Sequence, residues 1–324
     1  MSSLGKTLDG TPVSRLGLGC FYYGKPAPED SVRAIRRALE LGVNLLDTSD
    51  AYGAGENERM VGEAVAHRRH AAYITTKFGW VLDASGKPTH LDGSTDHVRR
   101  SCDASLQRLG TDYIDLYIAH RVDVNVPIEE TVGELSRLVE EGKVRAIGLS
   151  EAGRDTIERA HSVAPLSALQ TEYSLWSRDP EAELVPLCSR LGIAFVAYSP
   201  LGRGFLTGSV RDTSDLAPDD YRHGNPRFEQ SNLGRNLGLV DELSRLASAM
   251  GYKPSQLALA WLLSRPGGVY PIPSTRNLVH LEENVAAAGI VLGARDLEAI
   301  GRAVPPDRVS GARHPAEHMK TIGR

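Results

Sequence analysis

The sequence predicts an α/β fold, a closed (β/α)8 TIM barrel made by one domain over residues 1–324. Three observations lead there. Eight short apolar runs alternate with amphipathic helical stretches, no linker or low-complexity segment interrupts them, and no shift in composition marks a second domain. Strand and helix in unbroken alternation imply parallel strands joined by right-handed crossovers. An open, doubly wound sheet is the competing architecture. Eight units of roughly 25–45 residues favour closure, and 324 residues is an ordinary length for such a barrel.

Taken in order, the chain opens on a β-hairpin: Leu8 leads into Asp9-Gly10, a strong two-residue turn signal, and Thr11 to Arg15 returns. The apolar runs follow as Leu16–Cys20, Leu45–Leu46, Tyr73–Thr76, Ile114–Ile118, Val144–Leu149, Ala168–Gln170, Ala194–Tyr198 and Val269–Ile272. Between them Val32, Ile35 and Leu39 share a helix face that begins at the acidic Glu29 and Asp30 and stops at Gly42. Val98, Cys102, Leu106 and Leu109 repeat the pattern between Ser94-Thr95 and Gly110. Ile128, Val132, Leu135 and Val139 follow Pro127. Leu184, Leu187 and Leu191 precede Gly192, and Val240, Leu243, Leu246 and Met250 precede Gly251. Three stretches are too long for plain connections: residues 79–94, 200–236 and the tail from about Pro305. In a barrel the first two lie on the face where the strands end, so they are expected to wall a substrate site.

Composition narrows the function classes. A net charge of -4 with both signs spread along the chain leaves no footprint for nucleic acid or an anionic membrane. No apolar run approaches the roughly 18 residues of a membrane helix, and residues 1–10 do not resemble a signal peptide. The three cysteines, Cys20, Cys102 and Cys188, are few and far apart, which argues against a disulfide framework or a zinc site. The expected location is the cytoplasm and the expected partner a small molecule. Nothing in the sequence fixes the oligomeric state.

The chemistry gathers after the strands. Leu45-Leu46 ends in Asp47, with Tyr52 five residues later; Tyr73–Thr76 ends in Lys77; the fourth run leads to His120. Ser150, Gln170, Tyr198 and Ser199 hold the same position after later runs. A parallel barrel brings all of these to one mouth. Asp, Tyr, Lys and His together suit proton donation to a carbonyl oxygen while a hydride reaches the carbon. A free tyrosine titrates at ~10, and an ammonium beside it stabilises phenolate. Lys77 is expected to lower the Tyr52 pKa in this way, Asp47 to hold Lys77 charged, and His120 to bind the substrate oxygen. None of the four is a hydride source, so the scheme requires a reduced cofactor.

The runs LLDTSDAYG (45–53), ITTKFG (74–79), DLYIAHR (115–121), GLSEA (148–152), LQTEYSLWSRDPE (169–181) and AYSPLGRGFLTG (197–208) resemble the aldo-keto reductase superfamily in order and over nearly the whole chain. HRVD, GLSEA and TEYSLWSRDPE most resemble the branch of perakine reductase and pyridoxal-reductase-like enzymes. The resemblance implies reduction of aldehydes or ketones with NADPH, and a catalytic tetrad at Asp47, Tyr52, Lys77 and His120. It implies that Ser150 and Gln170 contact the nicotinamide carboxamide and that Tyr198 stacks on the ring. Ser199, Leu201 and Gly202 would lie along the pyrophosphate, where glycine lets backbone N–H groups approach. PIPSTRNLVHLEENV (271–285) resembles the grip on the adenosine end. Glu283 and Asn284 match adenine contacts, while Ser274, Thr275 and Arg276 stand where a helix start would meet a 2′-phosphate, which favours NADPH over NADH. The superfamily also holds non-catalytic, cofactor-sensing subunits of ion channels, the alternative reading.

Two positions depart from the family pattern. Glu151 stands where many members have Asn, and His280 where many have Arg. Other signals carry less. His67-x-x-His70 and His314-x₃-His318 read as solvated histidines, and Gly53-Ala54-Gly55 lacks the rest of a dinucleotide fingerprint. A glycosidase reading of Glu151 and Glu172 leaves Tyr52, Lys77 and Tyr198 without roles. Tyr22, Tyr23, Trp80, Trp176 and Phe205 flank strand ends and can be read either as pocket aromatics or as packing.

Overall fold

A computed structural model describes residues 4–6 (backbone only), 10–21, 27–214, 216–218 and 220–324. A hairpin of β1 (Leu4–Lys6) and β2 (Pro12–Ser14) comes first; residues 8 and 9 of its expected turn lie outside the described residues. Then follow β3 (Leu18–Gly19), α1 (Pro28–Glu40), β4 (Leu45–Asp47), α2 (Glu56–Val65) and β5 (Tyr73–Phe78). The stretch 79–94, expected to be a loop, contains a second hairpin of β6 (Trp80–Leu82) and β7 (Pro88–Leu91). The chain continues with α3 (Thr95–Leu109), β8 (Ile114–Ala119), α4 (Ile128–Glu140), β9 (Val144–Ser150), α5 (Arg154–Val163), β10 (Ala168–Glu172), α6 (Leu184–Leu191) and β11 (Ala194–Tyr198). After it come α7 (Gln230–Ala249), α8 (Pro254–Leu263), β12 (Val269–Pro271), α9 (Leu278–Ala286), α10 (Ala294–Ala303) and α11 (Ala316–Met319).

All eight expected barrel strands are present and parallel, ordered β12-β11-β10-β9-β8-β5-β4-β3. Two hydrogen bonds close the ring: Gly17 N–H donates to Pro271 O at 2.9 Å and Gly19 N–H to Pro273 O at 3.1 Å. The seam needs glycine, because a Cβ on Gly17 would come within 2.8 Å of Ile272 and Leu45 side chains, and one on Gly19 within 2.5 Å of Ser274 Oγ. Leu45, Tyr73, Leu116, Ile118, Ala146, Ala168, Val196 and Tyr270 fill the interior, and Val13 of the hairpin joins them at the strand starts. A larger apolar layer lies between strands and helices. The helix signals behave as their chemistry dictates: Ser94 Oγ accepts from His97 N–H at the start of α3, and Gly110 ends it in the left-handed conformation.

Candidate active site

The strand ends open into a cleft of about 1270 Å³ on the face where the strands finish. Asp47, Tyr52 and His120 line it together with Phe21, Trp80 and Tyr198. Lys77, fully buried, lies behind them. Its ammonium donates to Asp47 Oδ1 at 2.6 Å and to Thr48 O at 2.7 Å, and stands 3.5 Å from the Tyr52 hydroxyl. Burial presses the Lys77 pKa down, but Asp47 and then Tyr52 lift it above its ordinary value, so the ammonium stays charged. Burial likewise carries His120 well below its usual range, with Arg121 and Lys77 adding to the effect, so its imidazole is neutral near pH 7.

Tyr52 corrects one expectation. Its pKa is raised above the ordinary value, because loss of water outweighs the pull of Lys77, and Asp47 pushes it the same way. Lys77 is beside it as expected, but charge adjacency is the smaller of two opposed effects. Phe21 packs on the Tyr52 ring at 4.9 Å, and His120 meets its edge at 5.9 Å.

The residues expected around a nicotinamide already have partners. Gln170 lines the cleft and donates to Asp47 Oδ2 at 2.6 Å, which ties it to the Asp47–Lys77 pair. Arg121, which the strand-end reading passed over, reaches Ser150 Oγ at 3.3 Å. The Tyr198 hydroxyl donates to Glu151 Oε1 at 2.8 Å. Glu151 itself, in the left-handed conformation at φ 55°, is clamped by both guanidinium nitrogens of Arg313 at 2.7 and 2.8 Å.

Around that clamp lies a buried polar cluster that the sequence reading missed. Glu172 accepts from Arg203 at 2.7 Å and Ser177 Oγ at 2.7 Å, with His314 Nε2 at 3.3 Å and Arg227 at 3.6 Å. Burial alone would raise the Glu172 pKa; Arg203, His314 and Arg227 hold it far below the usual carboxylate range. His314 therefore belongs to the wall of the cleft and not to a solvated tail. The Tyr221 hydroxyl lies 3.1 Å from its Nδ1. The His314 pKa is lowered, by burial first and against the pull of Glu172, so its imidazole is neutral near pH 7.

Farther along the same cleft stand Ser199, Leu201, Ser274, Thr275, Arg276, His280, Glu283 and Asn284. Gly202 does not line it: its φ is +57°, and a Cβ there would come within 2.5 Å of the Trp176 indole nitrogen. Gly204 lines the cleft in its place, and Gly19 lines it from β3. The start of α9 also differs from expectation. Asn277 Oδ1 accepts from Val279 and His280 N–H at 2.9 and 3.2 Å, so these donors are taken and a phosphate would be held by side chains. Glu283 pairs with Lys253. Trp176 and Phe205 stack on each other at 4.6 Å inside the core, so packing is their role. Trp80 alone of the suggested aromatics lines the cleft; Tyr22 and Tyr23 lie outside the described residues.

The site can thus present a protonated phenol beside an ammonium and a neutral imidazole at one end of a long cleft whose other end carries hydroxyls and a guanidinium. The chain matches the model of the Aldo/keto reductase family over residues 15–304. It is 45% identical over 312 residues to a probable aldo-keto reductase 1 of Glycine max, covering 94% of this chain and 89% of that protein. Among solved structures it is similar to a glycerol dehydrogenase of Gluconobacter oxydans, with 31% identity, a TM-score of 0.83 and coverage of 91% and 94%. It is also similar to an aldo-keto reductase of Klebsiella pneumoniae in complex with NADPH, at 28% identity, a TM-score of 0.76 and coverage of 94% and 96%. A family match over most of the length, a relative at 45% identity and a shared barrel lead to one conclusion: this chain belongs to the aldo/keto reductase family.

Proposed function

We propose that the chain is an NADPH-dependent reductase of aldehydes or ketones, with Tyr52 as its general acid. The observation that carries this reading is the placement of the Tyr52 hydroxyl on the cleft, 3.5 Å from an ammonium that Asp47 keeps charged. A cleft of about 1270 Å³ exceeds the roughly 300–1,000 Å³ that a small ligand needs, so it has room for a dinucleotide beside a small carbonyl compound. Ser274, Thr275 and Arg276 suit a 2′-phosphate at the far end, and the Klebsiella pneumoniae relative binds NADPH. Ser150, Tyr198, Ser199, Leu201 and Asn284 would hold the remainder of the cofactor.

When bound, reduced nicotinamide supplies a hydride to the carbonyl carbon. The protein's part is the oxygen. His120 donates a hydrogen bond to it and orients it, and because the ring is neutral it does not compete as an acid. The raised pKa keeps Tyr52 protonated at neutral pH, ready to give its proton to the oxygen. The phenolate left behind forms against the Lys77 ammonium, so the electrostatic help of Lys77 is felt as charge develops. Asp47, itself held by Gln170, fixes that ammonium in place. The HRVD, GLSEA and TEYSLWSRDPE segments support an assignment to the branch of perakine reductase and pyridoxal-reductase-like enzymes, with aromatic or pyridoxal-like aldehydes as the first substrates to try.

Replacing Tyr52 by Phe tests the assignment. NADPH consumption with 4-nitrobenzaldehyde should fall by about 10²–10⁴-fold, the usual worth of a positioned acid, while NADPH affinity is unchanged. Near wild-type kcat in that variant would remove Tyr52 from its role. NADPH binding without turnover of any aldehyde, ketone or pyridoxal by the unaltered protein would favour the cofactor-sensing reading instead.

A further inference from the structure

Next to His120 lies a chain of polar groups that the scheme above does not use. His120 Nδ1 is 3.1 Å from Ser49 Oγ, and Ser49 Oγ is 3.1 Å from Asp50 Oδ1. The Ala51 N–H donates to the same hydroxyl at 3.2 Å. Asp50 is fixed in turn by its own N–H, which donates to Lys77 O at 3.3 Å. Ser49 is fully buried, and neither Ser49 nor Asp50 lines the cleft. A hydroxyl has one hydrogen, so Ser49 donates to His120 or to Asp50 but never to both.

We propose that Ser49 and Asp50 are positioning residues that decide which ring nitrogen of His120 carries its proton, and so whether His120 offers an N–H to a carbonyl oxygen in the cleft. The inference rests on the reduction proposed above. With Asp50 protonated, its O–H donates to Ser49 Oγ and the Ser49 hydrogen points to His120 Nδ1. The neutral imidazole must then carry its hydrogen on Nε2, which has no partner among the described residues and is free to bind a substrate oxygen. With Asp50 ionised, the Ser49 hydrogen turns to the carboxylate. Nδ1 now takes the ring hydrogen and donates to Ser49 Oγ, leaving Nε2 as a bare acceptor that repels a carbonyl oxygen. The two states differ by the one proton lost from Asp50 and by the tautomer of an imidazole that is neutral in both.

The surroundings place this switch near neutrality. Glu58 of α2 and Arg108 of α3, paired with each other at 2.6 Å, face Asp50, as does Tyr117 of β8; Arg121 and Lys77 face His120. Loss of water, then Glu58, raises the Asp50 carboxyl to about 7, against the opposing pull of Ser49, Arg108 and the Ala51 N–H. The donor tautomer is therefore present below about pH 7 and lost above it.

The test is a titration of protein labelled with ¹⁵N-histidine, the His120 signal being the one absent from His120→Asn. From about pH 6 to about pH 8.5 the unaltered protein should pass from Nε2–H to Nδ1–H, and kcat for aldehyde reduction should fall about ten-fold. Asp50→Asn has no proton to lose, so its tautomer and its kcat should both be flat over that range; Ser49→Ala, which cuts the chain, should likewise lose the pH dependence. A tautomer that does not change in the unaltered protein, which requires no variant to fold, overturns the proposal. So does an Asp50→Asn enzyme that keeps the alkaline fall. A tautomer that tracks Asp50 in a protein that reduces no carbonyl compound would sink the reduction and leave the positioning role standing.

Discussion

Arg276 stands half-buried on the far wall of the cleft, beside Thr275 and before the residue that caps α9. A guanidinium gains most from an anion with several oxygens, and the 2′-phosphate is the only group that separates NADPH from NADH. Arg276→Ala should therefore weaken NADPH by about 1.5–3 kcal/mol, the range for hydrogen bonds to charged groups, and leave NADH nearly unchanged. Fluorescence titrations with the two cofactors check this, and equal losses would dismiss the phosphate role. At this scale the sequence was informative about identity and poor about environment. The meeting of Asp47, Tyr52, Lys77 and His120 at one mouth could be foreseen because Asp47, Lys77 and His120 stand at or just past the ends of apolar runs, with Tyr52 in the loop after the first of them. The raised pKa of Tyr52 could not, because it depends on how much water the fold removes, which neighbouring charges in the sequence do not reveal. Ser49 and Asp50, between two conspicuous residues in the same loop, have no feature of their own that marks them.

Among the elements, α9 illustrates how a cap can displace a binding site. Asn277 satisfies two of its first N–H groups, the donors that a phosphate at this helix start would use. Asn277→Ala should cost about 1 kcal/mol of stability, the usual worth of such a cap, seen as a lower thermal midpoint. The freed donors then become available, so NADPH should recover more of that loss in the variant than in the unaltered protein. The barrel strands and the helices α1, α3, α4, α6 and α7 were readable from apolar spacing with glycine stops, whereas α2, α5, α8 and α10 were not singled out. The hairpin of β6 and β7 was not, since its strands are only three and four residues long and lie half in solvent, with no alternation. Its turn is held by the Asp83 side chain, whose Oδ1 accepts from the Ser85 and Lys87 N–H groups.

Across the whole molecule, the cluster around Glu151 and Glu172 binds the tail to the barrel. Glu172 ends β10, Arg203 and Arg227 come from the long stretch after β11, and Arg313 and His314 from the tail. Glu172→Gln leaves buried guanidinium groups without their counter-charge, and unfolding should become easier by about 3–5 kcal/mol in denaturant titration. The pH sign follows from the lowered pKa. The stabilisation is present above the ordinary glutamate value of ~4.3 and is lost as pH falls below it, so the variant should lack that part of the acid sensitivity. No periodicity or motif tied Arg313 and His314 to strands more than a hundred residues earlier. The barrel was legible because it is built from repeated local units, whereas this cluster comes from distant single residues.

The glycine seam that closes the ring has a bearing on how the chain is made. The strand before it is joined to the last by bonds from Gly17 and Gly19 to Pro271 and Pro273, and Arg15 reaches Leu263 O at 2.8 Å, 248 residues away. On a ribosome adding about 5–20 residues per second, the first strand emerges some tens of seconds before its partner exists. Through that interval its backbone edge and the apolar faces of Leu16 and Leu18 stay open, with only β4 to pair against. Closing the ring therefore waits until Pro271 and Pro273 have been made, and until then the first strand keeps an open edge of the kind that pairs with other chains.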